Sequence, residues 1–141
     1  MSEVLVQRGY VPAGTGQMHY RFAGQSGAPV LLLIHQAPSS SVMFEVMMAS
    51  LAEDYYVLAP DLPGFGQSDS LTISNTIADW ADALQGFCQN IIGAQTLAGV
   101  FGHHTGAAVA TEMLYRHPQI ADSLMLSGPT LLNQILKNIL P

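Results

Sequence analysis

The segment 100–110, VFGHHTGAAVA, constrains the fold of this chain more than any other stretch. An apolar run ends at Gly102, two histidines follow it, and an alanine-rich run begins after Gly106. An apolar run of this length favours a buried strand, and glycines allow a turn to pack closely against neighbouring backbone. The segment therefore predicts a strand that passes through a sharp turn directly into a helix, which is a connection typical of α/β proteins.

Short apolar runs recur along the chain at the spacing expected for strands separated by helices. The run VLLLI is apolar throughout, as is typical of a strand covered on both faces of a parallel sheet. Two runs near the start, separated by a turn rich in Pro and Gly, predict an antiparallel pair. The predicted strands are Val4–Val11, Gln17–Ala23, Val30–Ile34, Tyr56–Ala59, Thr96–Phe101 and Ser123–Ser127. We therefore expect an α/β fold of about six strands, with a doubly wound, mostly parallel sheet and helices on both faces.

Two helices are predicted between the middle strands. A serine run, 39–41, can cap the first helix. Thr76 and Asp79 form a capping-box pattern ahead of the second helix. The apolar stripe of the first helix is Met43, Phe44, Met47 and Leu51, and that of the second is Ile77, Trp80, Ala81, Leu84, Phe87, Cys88 and Ile91. We expect Trp80, Cys88 and the methionines Met43, Met47 and Met48 to be core or near-core residues.

Two further helical segments follow the turn at 102–106. One helix runs from about Thr105 until Pro118 stops it. The tail, residues 129–141, places several leucines and isoleucines on one helical face. Such a face needs an apolar surface to cover it.

Charge and length exclude several classes of protein. The 141 residues suit one domain, and we treat 1–141 as a single unit. Ten acidic residues against four Lys and Arg give a net charge of −6, which disfavours binding to nucleic acid or to anionic membranes. No stretch reaches the roughly 18 to 20 apolar residues of a membrane span, and the single Cys88 cannot form an internal disulfide. We expect a cytoplasmic location.

Three motifs follow the third, fourth and fifth predicted strands. They are His35-Gln36-Ala37-Pro38, then the loop DLPGFGQSD at 61–69, then Gly102-His103-His104-Thr105-Gly106. With these motifs in this order, the chain resembles the N-terminal half of an α/β-hydrolase, in the branch of small esterases, haloalkane dehalogenases, epoxide hydrolases and carbon–carbon bond hydrolases. The resemblance covers nearly all of the chain. It implies a site above the carboxyl edge of the sheet.

In relatives of this kind the third motif is the nucleophile elbow, G-x-Nuc-x-G, and its middle residue is normally serine. His104 stands in that place here. The resemblance implies an oxyanion hole from the backbone N–H groups of Thr105 and Ala37. Gln36 departs from the usual His-Gly at the start of the first motif. We expect Gln36 and the two further histidines, His35 and His103, to line the site, with His35 packed under the oxyanion loop and His103 pointing away from His104.

Three roles for His104 are compatible with its chemistry. It can be a nucleophile, although neutral imidazole attacks ordinary esters poorly, or a base that activates water, or a binding or structural residue. A metal site is not expected, since neighbouring residues on a turn diverge and no third ligand has a recognisable spacing. The glycine pattern is neither a dinucleotide nor a phosphate-loop motif, so no cofactor is expected.

The rest of a catalytic triad is not recognisable in the chain. Asp61 and Asp69 are expected to hold turns by hydrogen bonds rather than to act as catalytic acids. After the elbow, the acidic residues are Glu112 and Asp122, and the one histidine is His117. None of these three is expected at the carboxyl end of a strand. The resemblance places an acid, a histidine and a lid in later segments, so we expect the lid and the last strands to be absent and the domain to be truncated before the lid.

Two functional hypotheses remain open at this point. The first is a hydrolase-like protein that acts on a small, apolar ester, lactone or related carbonyl compound, with His104 at the reaction centre and weak or no activity for the isolated chain. The second is a binding or interaction module that keeps the hydrolase scaffold. In either case we expect a homodimer, joined through the exposed last strand or the apolar C-terminal helix.

Overall fold

The computed structural model describes residues 3–14, 16–71 and 76–128, which form one mixed sheet with helices on both of its faces. The strands are β1 (Gln7–Ala13), β2 (Gly16–Ala23), β3 (Val30–Ile34), β4 (Tyr56–Pro60), β5 (Gly99–His103) and β6 (Leu124–Ser127). The α-helices are α1 (Glu45–Leu51), α2 (Ile77–Ile92) and α3 (Thr105–Arg116), and a 3-10 turn, Ser41–Phe44, leads into α1. The predicted tail helix at 129–141 lies outside the described residues.

The sheet has the strand order β1-β2-β4-β3-β5-β6. β1 and β2 form the predicted antiparallel pair, and β2 also runs antiparallel to β4. The other neighbours, β4 with β3, β3 with β5 and β5 with β6, are parallel. The carboxyl ends of β3 to β6 therefore share one edge of the sheet, called here the carboxyl edge. The predicted α/β class, with a mostly parallel sheet of about six strands, is confirmed.

The central strand β3 is buried at every residue because helices cover both faces of the sheet. Its side chains alternate between two apolar clusters, so Leu32 packs on the side of α2 and α3, and Leu33 packs on the side of α1. Phe87 and Met113 bring α2 and α3 onto the first face, whereas Met48 brings α1 onto the second. This two-sided burial explains why the run VLLLI shows no polar alternation.

The predicted cap and apolar stripe of α2 are confirmed. The Asp79 N–H donates to Thr76 Oγ1 at 3.1 Å, and the Thr76 N–H donates to Asp79 Oδ2 at 3.0 Å. This reciprocal pair satisfies two backbone donors that the helix itself leaves unpaired, a contribution of about 1 kcal/mol. Trp80 and Cys88 are buried, as expected.

The prediction that Met43 and Met47 are core or near-core residues is wrong. Met43 is 39% exposed and Met47 is 38% exposed, while Phe44 and Met48 are buried. The segment begins as a 3-10 turn, capped by the Ser40 side chain, before it becomes α-helical. A 3-10 helix has about 3.0 residues per turn, whereas an α-helix has about 3.6. The buried face of this segment therefore differs from the one that an uninterrupted α-helix would have.

The last strand, β6, is exposed at its apolar positions. Leu124, Met125 and Leu126 are 36%, 51% and 38% exposed. Within the described residues, β6 pairs with β5 alone, so its outer edge is open. None of the helices in the described ranges combines the length and the apolar character that crossing a bilayer requires.

Candidate active site

A strained turn joins β5 to α3 at the carboxyl edge. His104 has φ 50° and ψ −113°, and it is the non-glycine residue with positive φ among those the structure describes. A side chain in such a conformation costs roughly 1 to 3 kcal/mol, so the surrounding packing must impose it. Because His104 precedes the first turn of α3, backbone N–H groups without intrahelical acceptors lie directly after it.

The glycines on either side of His104 allow this turn to lie against the sheet. A Cβ at Gly102 would collide with the Gly106 carbonyl group, and a Cβ at Gly106 would collide with the Ile34 carbonyl oxygen. Both contacts are with backbone, which cannot move aside as a flexible side chain can. The predicted close packing of small residues is confirmed, and the contact of Gly106 with the end of β3 fixes where α3 begins.

The His104 imidazole is half-buried and lies across the end of β6. A Cβ built on Gly128 would be 3.1 Å from His104 Nε2, which places the ring over that glycine. The His104 backbone N–H donates to the Ser127 carbonyl oxygen at 2.9 Å. The side chain therefore occupies the space beside the carboxyl end of β6 and remains partly open to solvent.

His103 and His104 contact each other, and the expectation that His103 points away is wrong. Their ring centroids are 4.3 Å apart with an interplanar angle of 85°. In a regular strand, consecutive side chains point to opposite faces. The positive φ of His104 ends that alternation and brings the two rings together in an edge-to-face pair.

His103 also contacts a residue that the sequence analysis did not select. Its Nδ1 lies 3.0 Å from the Ser127 hydroxyl oxygen, and both side chains are half-buried. The two residues are register partners in the parallel pair β5–β6. The only signal in the sequence is that Ser127 ends one predicted strand and His103 follows another. The register that brings them together is decided by tertiary packing.

His35 is fully buried and both of its ring nitrogens are hydrogen-bonded. Its Nε2 accepts from the Leu62 N–H at 2.9 Å, so Nδ1 carries the hydrogen and donates to the Gln36 carbonyl oxygen at 2.7 Å. Burial lowers the pKa of His35, against weaker opposing effects of the Gln36 hydrogen bond and the Asp61 charge. The expectation that His35 packs beneath the loop after β3 is confirmed.

The loop after β3 emerges next to the turn that carries His104. Ile34 is the register partner of Gly102, so Gln36 and Ala37 leave the sheet at the same edge as His104 and Thr105. These four residues are half-buried. The backbone positions selected for anion stabilisation, Ala37 and Thr105, therefore belong to neighbouring segments at the carboxyl edge.

Asp61 holds the loop after β4 by hydrogen bonds, as expected. Its buried carboxylate accepts from the Ser41 N–H at 2.8 Å, the Ser41 hydroxyl at 2.6 Å and the Gln67 N–H at 2.9 Å, and it lies 2.8 Å from His19 Nδ1. Burial by itself raises the pKa of this carboxyl, but the hydrogen bonds from Gln67, Ser41 and His19 outweigh burial and lower it. These contacts link the loop after β4 to the Ser41–Phe44 turn and to His19 in β2.

Asp69 closes the other end of the same loop. Its Oδ2 accepts from the Gln17 N–H at 2.7 Å, and its carbonyl oxygen accepts from the Gly64 N–H at 3.0 Å. The loop is thereby tied to β2. Asp69, like Asp61, holds backbone in place.

Glu112, His117 and Asp122, which follow His104 among the described residues, lie away from it. Glu112 pairs with Arg116 along α3 at 3.8 Å. His117 ends the same helix, 3.7 Å from Asp82, and Asp122 precedes the first residue of β6. None of these three lies at the carboxyl edge, as expected. Within the described ranges, no three His, Cys, Asp or Glu side chains are grouped closely enough to hold a metal ion.

Comparison with known proteins gives a consistent assignment. Residues 29–141 match the family described as the alpha/beta hydrolase fold. An uncharacterized protein of Mycobacterium tuberculosis is 33% identical over 107 residues, which are 76% of this chain and 30% of that protein. A haloalkane dehalogenase of Bradyrhizobium diazoefficiens is 30% identical over 122 residues, which are 86% of this chain and 38% of the dehalogenase.

Solved structures agree with the sequence comparison. A variant of an N-acyl homoserine lactonase, in complex with N-hexanoyl homoserine, superposes with a TM-score of 0.81 at 26% identity. The match covers 94% of this chain and 48% of the lactonase. The chain thus spans less than half the length of each of these relatives. On the motifs, the sheet order and these matches, the chain belongs to the α/β-hydrolase fold family.

Proposed function

We propose that this chain contributes a hydrolase-like site for small, largely apolar esters, lactones or related carbonyl compounds, with His104 at its centre. The observation that carries the proposal is the positive φ of His104 at the turn between β5 and α3. Strained backbone of this kind concentrates at functional sites, because a relaxed turn would serve equally well for a purely structural connection.

The electrostatics of the turn favour a reaction that develops negative charge. The first N–H groups of α3 point out of the helix, and the helix dipole adds a partial positive charge at the same end. In the proposed site, the Thr105 and Ala37 N–H groups form an oxyanion hole for the carbonyl oxygen of the substrate. His104, in the place of the elbow nucleophile, contacts the reacting group as a nucleophile or as a base for water.

Two features support the proposed class of substrate. The net charge of −6 disfavours strongly anionic substrates. The lactonase whose structure resembles this chain was solved with an acylated homoserine, which combines a small polar head with an apolar acyl chain. A carbonyl compound with an apolar tail is therefore the substrate class that we assign to the site.

The test is hydrolysis of p-nitrophenyl acetate by the parent chain, His104→Ala and His104→Ser. We expect slow turnover by the parent, because no acid–histidine pair accompanies His104 at the carboxyl edge within residues 76–128. We expect at least a tenfold lower rate for His104→Ala. Equal rates for the parent and His104→Ala would remove His104 from the reaction.

A non-catalytic binding module on the same scaffold is the second candidate. It is favoured by the complete hydrogen bonding of His35 and Asp61, which leaves neither group free for catalysis. The same assay separates the candidates. A binding module gives no turnover above buffer in any variant, yet His104→Ala still weakens binding of an apolar ester or lactone measured by calorimetry.

We also propose that the chain forms a homodimer through the open edge of β6. Its exposed Leu124, Met125 and Leu126 offer apolar surface to a second copy, together with backbone that pairs with no strand of the described residues on its outer side. Light scattering is expected to give twice the 15.0 kDa chain mass, and Met125→Lys is expected to shift the population toward monomer. A stable monomer at high protein concentration would contradict this part of the proposal.

A further inference from the structure

We propose that Ser127 is a nucleophile of this site and that His103 is its base. The inference rests on the proposed function and adds to it a covalent step on a residue outside the G-x-Nuc-x-G motif. Ser127 and His103 then take the roles of nucleophile and base, and His104 contacts the substrate beside them without reacting.

The two side chains are in direct contact. Ser127 Oγ and His103 Nδ1 are 3.0 Å apart, within the range for a nucleophile and its base. With the hydrogen on His103 Nε2, the Ser127 hydroxyl donates to Nδ1. Parallel pairing of β5 with β6 holds both residues at the carboxyl edge, so the contact does not depend on a flexible loop.

Ser127 differs from other serines of the described residues in the partner of its hydroxyl group. The hydroxyls of Ser41, Ser68 and Ser123 donate to the Asp61 carboxylate, the Asp61 carbonyl and the Ala98 carbonyl, respectively. Those acceptors are too weakly basic to take a hydroxyl proton near neutral pH. Ser127 instead contacts an imidazole, which can accept a proton in this range.

The surroundings hold both partners in place and leave them partly exposed. The His103 ring is held against the His104 ring, and the Ser127 carbonyl accepts from the His104 N–H. Gly128, with φ 55°, follows the serine directly, and the lack of a Cβ there leaves its backbone clear of the His104 ring, whose Nε2 such a Cβ would approach to 3.1 Å. Both Ser127 and His103 are half-buried, so part of each side chain is accessible to solvent.

The covalent step balances with the substrate and water alone. Ser127 Oγ forms a bond to the carbonyl carbon while its proton moves to His103 Nδ1 and the carbonyl electron pair moves to oxygen. Collapse of this intermediate breaks the bond to the leaving alcohol, which takes the proton from His103. Water then attacks the acyl group on Ser127 with His103 again as base, releasing the acid and restoring the serine.

The test uses a fluorophosphonate, whose phosphorus forms a bond to a reactive serine as fluoride leaves. The parent chain is incubated with an alkyl fluorophosphonate, digested, and the modified residue is located by mass spectrometry. We expect the adduct on Ser127. We expect Ser127→Ala to abolish labelling and His103→Ala to slow it at least tenfold. Ser123→Ala, which changes a serine four residues away beside a carbonyl, is the matched control and is expected to label like the parent.

The other possible outcomes contradict different parts of the proposal. No adduct on Ser127 of the folded parent would overturn the inference, whatever the variants do. An adduct on His104 instead would overturn it while supporting the proposed function. An adduct on Ser127 whose rate is unchanged in His103→Ala would remove His103 as the base. Circular dichroism of each variant identifies any loss of labelling that arises from unfolding. The position of the adduct on the parent chain is determined without any variant.

Discussion

The backbone N–H of Leu62 donates a 2.9 Å hydrogen bond to Nε2 of the buried His35 ring. This bond joins the loop after β4 to the loop after β3, and it requires the neutral ring with its hydrogen on Nδ1. Protonation of Nε2 would place a donor against the Leu62 N–H donor at a fully buried ring. The hydrogen bond that joins these two loops therefore requires an uncharged His35.

His35 should make stability depend on pH. Because the pKa of His35 is lowered in the folded chain, the unfolded chain takes up a proton first as pH falls. The stability is complete above the unfolded pKa of about 6.5 and declines as pH falls toward the lower folded value. We expect a lower urea midpoint at pH 5.5 than at pH 7.5. His35→Gln should have a flatter profile over this range, and an unchanged difference between the two pH values would exclude His35 as its source.

Asp61→Asn should destabilise the chain by about 3 kcal/mol, because an amide replaces a buried carboxylate that accepts from two backbone N–H groups and a hydroxyl. Urea unfolding at pH 7 measures the change. Since the pKa of Asp61 is lowered in the folded state, its contribution is complete above about pH 3.9 and is lost as pH falls through the folded value. The exposed Asp54→Asn is the control, and a comparable loss in that variant would argue against the Asp61 network.

Two glycine-to-alanine substitutions are expected to have opposite effects. At Gly106 the new Cβ meets the Ile34 backbone, so Gly106→Ala should cost at least about 2 kcal/mol or prevent folding. At Gly86, inside α2, a Cβ meets no atom within 4 Å, so Gly86→Ala should stabilise the chain by about 0.5 to 1 kcal/mol. Thermal unfolding of the two variants tests the packing of the turn. A mild effect at Gly106 would mean that the turn can move away from β3.

The strain at His104 can be measured separately from the loss of its ring. His104→Gly and His104→Ala both remove the imidazole, but only alanine retains a Cβ at φ 50°. We therefore expect His104→Gly to be more stable than His104→Ala by about 1 kcal/mol in urea unfolding. In a relaxed turn the alanine variant would be the more stable one, because glycine gives the unfolded chain more conformational freedom. If His104→Ala is more stable than His104→Gly, the backbone at residue 104 is not strained.

The candidate site was only partly predictable. The resemblance carried by the motifs selected His104, its neighbouring backbone positions and the packing of His35. The structural roles of Asp61 and Asp69 were expected from the turn chemistry of their loop as well as from the resemblance. The pairing of His103 with Ser127 was missed because the two residues are 24 positions apart and meet through strand register. The contact between the His103 and His104 rings was predicted wrongly, since strand alternation was extended to a residue whose positive φ ends it.

The sequence by itself determined the order of strands and helices along the chain, the mostly parallel character of the sheet and the cap of α2. Each of these follows from apolar periodicity, turn residues and capping pairs that lie close together along the chain. The tertiary structure decided which face of Ser41–Leu51 is buried, and it brought Ser127, His103 and His104 to one edge. Register and helix phase depend on how distant segments pack against each other, and that information is not contained in any local stretch of residues.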